Sequence, residues 1–201
     1  MNVERTQPFW AEVATRRSPE TLVEGLACYE RLYMPSRNFT PKTRLDYHND
    51  LADLLAFAGK LGHERLDQVS LRDLEAYLAE LDRRGLAGAS RKRKTYAIKS
   101  FFAFLYHSSY LAHDPAERLI PPRSEQKEPR VLTKKEYETL LRVCSHHPRD
   151  SAIVELLLQT GIRLAELTRL QTHDVELPAR IGRDAEALGR MHILGKGRKE
   201  R

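Results

Sequence analysis

The sequence predicts a mostly α protein: an N-terminal module of four amphipathic helices, then an α+β segment with a small β-sheet. Three observations carry that expectation. Helix-capping residues stand directly before apolar stripes of helical period along the first half of the chain. A proline-containing stretch then breaks the pattern, and two apolar runs beyond residue 170 are too short for helices and read as strands. At 201 residues with 41% hydrophobic content, the chain can bury a core and has room for one or two domains.

Residues 1 to 17 carry no sustained pattern and read as a loose arm or a short helix. Ser18-Pro19 reads as an N-cap with proline at the first helical position, before Leu22, Leu26, Tyr29 and Tyr33. Thr40-Pro41 repeats the signal before Leu45, Leu51, Leu54, Leu55, Ala58 and Leu61, with Gly59 and Gly62 as the stop. Ser70, with Asp73 three residues on, resembles a capping box before Leu71, Leu74, Leu78 and Leu81, and Gly85 closes that helix. Three such helices with short loops make a bundle the economical reading.

The fourth helix, expected from Ser90, differs in charge. No acidic residue occurs from Ser90 to His113, while Arg91, Lys92, Arg93, Lys94 and Lys99 are all basic. Ile98, Phe101, Phe102, Leu105 and Tyr106 supply its core stripe, which leaves the first turns to project as a basic spike. A charge run is commonly just a solvated face. Like charges this close repel, however, and a polyanion would neutralise them, so a nucleic acid is the expected partner. The net charge of +6 agrees with an acidic partner.

Residues 119 to 130, with Pro121, Pro122 and Pro129, read as a linker, dividing the chain into domains over 1–118 and 131–201. Thr133 and Glu136 form a capping-box match before Tyr137, Leu140, Leu141 and Cys144. A second helix is expected over about 150–160, through Ala152, Ile153, Leu156 and Leu157. Gly161 then breaks the chain, placing Arg163 in the first turn of a new helix with Leu164, Leu167 and Leu170 inward and Glu166 on the same face as the arginine. Taken alone, that pair reads as a solvated surface ion pair. His173-Asp174-Val175 and residues 190–194 read as strands, and Gly195-Lys196-Gly197 as a tight turn.

No apolar run approaches the length of a membrane span and no signal-peptide apolar region is present, so a cytoplasmic protein with no membrane partner is expected. Cys28 and Cys144 read as reduced core residues. Cys144, His146 and His147 lie close together, but no second ligand cluster has metal-site spacing, and no metal is expected.

Taken together, the four-helix module ending in the basic helix and Phe-Phe-Ala-Phe-Leu, the Asp-Pro and proline linker, Leu-Thr-Lys-Lys-Glu, Thr-Gly-Ile-Arg-Leu-Ala-Glu-Leu and Gly-Lys-Gly-Arg-Lys-Glu-Arg resemble the tyrosine recombinases, or phage integrases. The resemblance implies an all-helical, SAM-like core-binding domain and the first part of an α+β catalytic domain, clamped about duplex DNA together with other recombinase protomers. It implies strand exchange by transesterification through a tyrosine, with no metal or nucleotide cofactor. Arg163 matches the family's first catalytic arginine, whose planar fork suits charge building on phosphate oxygens. Glu166 matches the acidic residue that holds the guanidinium, and Lys196 matches the hairpin lysine that resembles a general acid; alone, Lys196 reads as a solvated turn residue. The family's His-x-x-Arg motif and nucleophilic tyrosine lie downstream of the hairpin lysine, and nothing after Lys196 in this sequence matches them, so the expectation is a truncated DNA-binding form unable to cleave alone. The alternative is a non-enzymatic helical module competing with a full-length recombinase.

Overall fold

The computed structural model describes residues 17–123, 128–177, 189–193 and 195. The chain divides into two compact units, residues 1–127 and 128–201.

The first helix, α1 (Leu22–Cys28), starts later than expected. Ser18 has Thr21 at the third following position, which cannot return a hydrogen bond as a carboxylate does. Thr21 has Glu24: the Thr21 hydroxyl accepts from the Glu24 amide at 3.2 Å, and the Glu24 carboxylate accepts from the Thr21 amide at 3.1 Å. The helix runs on through a π turn, Tyr29–Tyr33, to a closing α turn, Met34–Ser36. Pro35 explains the wider turn, since it lacks an N–H and its ring would strike the Arg31 carbonyl in a regular helix. The Met34 amide accordingly donates to the Tyr29 carbonyl, five residues back.

Helix α2 (Pro41–Lys60) opens on Thr40 as the sequence predicts, and Gly62 takes the left-handed conformation beyond its end at φ 77°. A short 3-10 turn, Leu66–Gln68, leads to α3 (Leu71–Arg83), capped by Ser70 and Asp73. The basic helix α4 (Gly88–His107) begins two residues before Ser90, because the Arg91 amide already donates to the Ala87 carbonyl at 3.0 Å.

The core of this unit is aromatic. Tyr29, Tyr77, Phe101 and Phe102 are fully buried with Met34, Leu51, Leu74, Leu81, Ile98 and Leu105. Tyr29 meets Phe101 edge-on at 5.6 Å, and its hydroxyl shares a 2.7 Å hydrogen bond with Ser100. Gly25 allows the close approach, as a Cβ there would lie 2.9 Å from Leu66 Cδ2. Beyond α4, Lys99 Nζ donates to the carbonyls of Ala116, Glu117 and Leu119 at 2.7 to 3.1 Å, fastening the segment after Pro115 to the bundle. Leu119 is buried there, in the core of the first unit.

In the second unit, α5 (Lys134–Cys144) carries the expected Thr133–Glu136 capping box. Helix α6 (Pro148–Thr160) starts at a proline and ends on Gly161 at φ 62°. Helix α7 is a single turn, Leu164–Leu167. The expected strand at His173 is corrected: the Asp174 carboxylate accepts from the Gln171 amide at 2.9 Å and folds Thr172–Asp174 into a 3-10 turn. Strand β1 is Val175–Glu176 and β2 is Arg190–Met191, paired antiparallel with Val175 opposite Met191. Cys28 and Cys144 are free and half-buried. Among the described residues, no helix is long and apolar enough to cross a membrane.

Titration of the first unit should be visible at both pH extremes. Burial raises the Tyr29 and Tyr77 phenols above the usual 10.0, so both stay neutral in the fold while the unfolded chain ionises. Burial acts to raise Asp53, but hydrogen bonds from Lys94, Arg84 and Tyr77 outweigh it and hold the group below its usual 3.8. The phenols therefore favour the fold fully below pH about 10 and cease to as pH rises further; Asp53 favours it above pH about 3.8 and ceases to on acidification. Urea midpoints followed by circular dichroism should fall on both sides of that window and change little within it.

Candidate nucleic-acid interface

Two arginines share one construction, an exposed guanidinium braced from beneath by a buried carboxylate. In α4, Arg93 grips Asp50 of α2 with both terminal nitrogens; Nη2 donates at 2.9 Å, and Nη1 bonds the other oxygen. The Asp50 side chain is 2% exposed and that of Arg93 is 47% exposed. At α7, Arg163 Nη1 donates to Glu166 Oε1 at 2.8 Å, with side-chain exposures of 65% and 6%. Glu166 Oε2 also accepts from the Arg163 backbone amide at 2.8 Å. The same carboxylate thus fixes both the backbone and the fork of its arginine.

Arg163 differs in detail from the expected first-turn placement. It is the cap residue, with extended backbone at φ −76° and ψ 150°. Glu166 takes the inward position of the turn, because its carboxylate must reach back to the Arg163 amide, and Leu164 is left exposed instead of lining the expected stripe. The turn therefore buries an anion whose partner reaches the surface. Lys196, expected to join this site, lies outside the described residues, as does Gly197.

The basic run of α4 is corrected from a projecting spike to a partly internal network. Lys94 is buried, its Nζ 2.9 Å from Asp53 and 3.3 Å from Asp50. Arg91 pairs with Asp82 of α3 at 2.7 Å, and Lys99 spends its donors on three backbone carbonyls. Asp53 further accepts from Tyr77 Oη at 2.9 Å and Arg84 Nη1 at 3.0 Å. The repulsion that argued for a polyanion is met largely by the chain's own aspartates. Lys92 remains, half-buried and with no ion pair among the described residues, beside exposed Tyr96 one turn on. Sequence reasoning missed Asp50, Asp53 and Asp82; Asp50 stood as a charged residue next to Leu51 on a buried stripe, which is the signal that could have found it.

Each unit by itself offers positive donors to an anion: Arg163 in the second, and Lys92 and Arg93 on α4 in the first. Among the described residues, no group of three His, Cys, Asp or Glu side chains is placed to hold a metal ion.

Comparison with known proteins matches residues 26–109 to the model of the phage integrase N-terminal SAM-like domain and residues 130–201 to that of the phage integrase family. The tyrosine recombinase XerC of Roseiflexus sp. (strain RS-1) is 33% identical over 163 residues, covering 79% of this chain and 52% of the relative. XerC of Xanthomonas campestris pv. campestris (strain B100) is 34% identical over 158 residues, covering 77% and 46%. The chain spans about half the length of the curated relatives it matches. A lambda integrase tetramer bound to a Holliday junction matches in fold with a TM-score of 0.71 at 19% identity, over 100% of this chain and 55% of that one. A lambda integrase dimer bound to a core site matches at 0.70 and 18%, over 99% and 52%.

The brace beneath Arg163 is open to a direct test. Glu166→Ala removes the acceptor of a backbone amide and of a guanidinium, and should lower the stability of the 163–168 turn by about 1–3 kcal/mol. Arg163→Ala takes the guanidinium away from the buried carboxylate and should also destabilise the turn, by several kcal/mol, but it keeps the residue-163 amide bonded to Glu166. Amide exchange at Arg163 and Leu167 would report the two losses, and equal protection in both variants would contradict the assignment of Glu166 as the anchor.

Proposed function

The chain belongs to the phage integrase family, the tyrosine recombinases, and from that premise we propose that it binds duplex DNA in the cytoplasm as part of site-specific recombination or integration. The observation that carries the reading is Arg163: an arginine fork, largely exposed, held at 2.8 Å by a buried glutamate inside the segment that matches the integrase family. A guanidinium fixed this way meets a phosphate without first paying to be ordered.

Arg163 is assigned the DNA phosphate, offering its non-bridging oxygens the N–H donors of the fork other than the one given to Glu166. Glu166 is the positioning residue that keeps the fork aimed. Lys196 is assigned the leaving oxygen, on the ground of the family resemblance and its place between Gly195 and Gly197. In the first unit, Lys92 supplies a free charge for the phosphate backbone. Other recombinase protomers are the proposed protein partners. Duplex binding tests the reading: fluorescence anisotropy with a labelled random-sequence duplex over a salt series should give affinity that falls as salt rises. Lys92→Ala should weaken binding at every sequence and lower the salt slope by about one unit. A salt-independent signal would remove DNA from the reading.

Cleavage is a separate matter. Of the eight tyrosines, Tyr29 and Tyr77 are fully buried in the helical bundle, and none stands in the sequence context of the family's nucleophile. The 201 residues alone should form no covalent adduct with a nicked suicide duplex on denaturing gels, and an adduct that survives denaturation would overturn that expectation.

A further inference from the structure

We infer that Asp50 governs how Arg93 meets DNA: it withholds the arginine's charge from the phosphate backbone and holds its outer edge in one orientation. The inference rests on the DNA-binding reading above and assigns a positioning residue within that surface. Arg93 lies on α4 one residue from Lys92, so in sequence the two cations look interchangeable. In the fold they are opposites. Both terminal nitrogens of Arg93 are engaged by the two oxygens of one aspartate, which is itself 2% exposed, while the outer side of the fork remains open to solvent. Lys92 has no ion pair among the described residues.

A bidentate pair is geometrically fixed, because rotating the guanidinium breaks two hydrogen bonds together. It is also nearly neutral at a distance. Such an arginine releases little counterion when DNA approaches, so it contributes little to sequence-independent affinity. What it retains is a set of N–H donors pointing in a fixed direction, which is the requirement for contacting one particular acceptor in a groove. The surroundings reinforce this arrangement. Lys94 lies 3.3 Å from Asp50 and 2.9 Å from Asp53, while Arg84 and Tyr77 bind Asp53, so Asp50 cannot swing away from the fork without disturbing three helices.

The consequence runs against simple charge counting. Removing the exposed Arg93 should leave the salt slope on random-sequence duplex unchanged, and neutralising the buried Asp50 should increase it. The experiment uses the full 201-residue chain and a fluorescein-labelled random-sequence duplex over a sodium chloride series, with helical content checked by circular dichroism. Arg93→Ala is expected to match the unsubstituted chain in slope, whereas Asp50→Asn is expected to steepen it by about one unit and to tighten binding several-fold at low salt. The double variant is expected to return to the original slope, which a merely structural role of Asp50 would not produce. The inference is overturned if folded Asp50→Asn binds with the original slope, or if Arg93→Ala alone lowers the slope by about one unit. Should Asp50→Asn lose its helical signal, the Arg93→Ala slope decides by itself. Failure of the unsubstituted chain to bind in a salt-dependent way would instead remove the DNA reading and this inference with it, so the two failures are told apart by the first titration.

Discussion

The buried carboxylate of Asp50 is the constraint around which the helical unit is arranged. An ionised side chain taken out of water costs several kcal/mol unless it is paired and its oxygens are satisfied. Asp50 meets that condition with a bidentate arginine and a neighbouring lysine from α4. Asp53, one helical turn further along α2, repeats the arrangement with Lys94, Arg84 and Tyr77. The three helices α2, α3 and α4 are therefore locked by directional bonds above an aromatic core that is itself non-directional. Apolar packing supplies the drive to collapse, and the ion network selects the register of α4 against α2.

Much of this fold is legible in the sequence, and what is legible is local. Thr40, Ser70 and Thr133 mark helix starts because the partners that complete each cap lie within three residues, and the left-handed glycines at 62, 85 and 161 end helices for reasons internal to the turn. The Arg163–Glu166 pair is readable for the same cause. What escapes a reading along the chain is the charge pairing of α4. Arg93 and Asp50 are 43 residues apart and Arg84 and Asp53 are 31 apart, so the run Arg91–Lys94 looks uncompensated until the helices are packed. The π turn is an intermediate case: Pro35 announces it, yet the stripe of Leu22, Leu26, Tyr29 and Tyr33 reads as ordinary helix because the irregularity begins only at Tyr29.

The two units hold their arginines by different means. In the first, Arg93 depends on tertiary packing, since its brace comes from another helix and is sealed by a core. In the second, Arg163 and its brace belong to one turn. Among the described residues that unit buries only Ile162, Glu166 and Ile193, and Val131, Val143, Leu164 and Leu177 remain exposed. Its helices α5 and α6 nonetheless form, with a capping box at one, proline at the start of the other and a left-handed glycine at its end.

That difference has a consequence for how each arginine can be used. The Arg163 amide, its fork and the Glu166 carboxylate are joined by two hydrogen bonds within one turn. A guanidinium fixed across two helices keeps its geometry only while those helices stay docked, so any contact it makes reports the intact bundle. Arg163 and Arg93 thus differ in what holds them, a difference that follows from the 3-residue and 43-residue separations of the two braces.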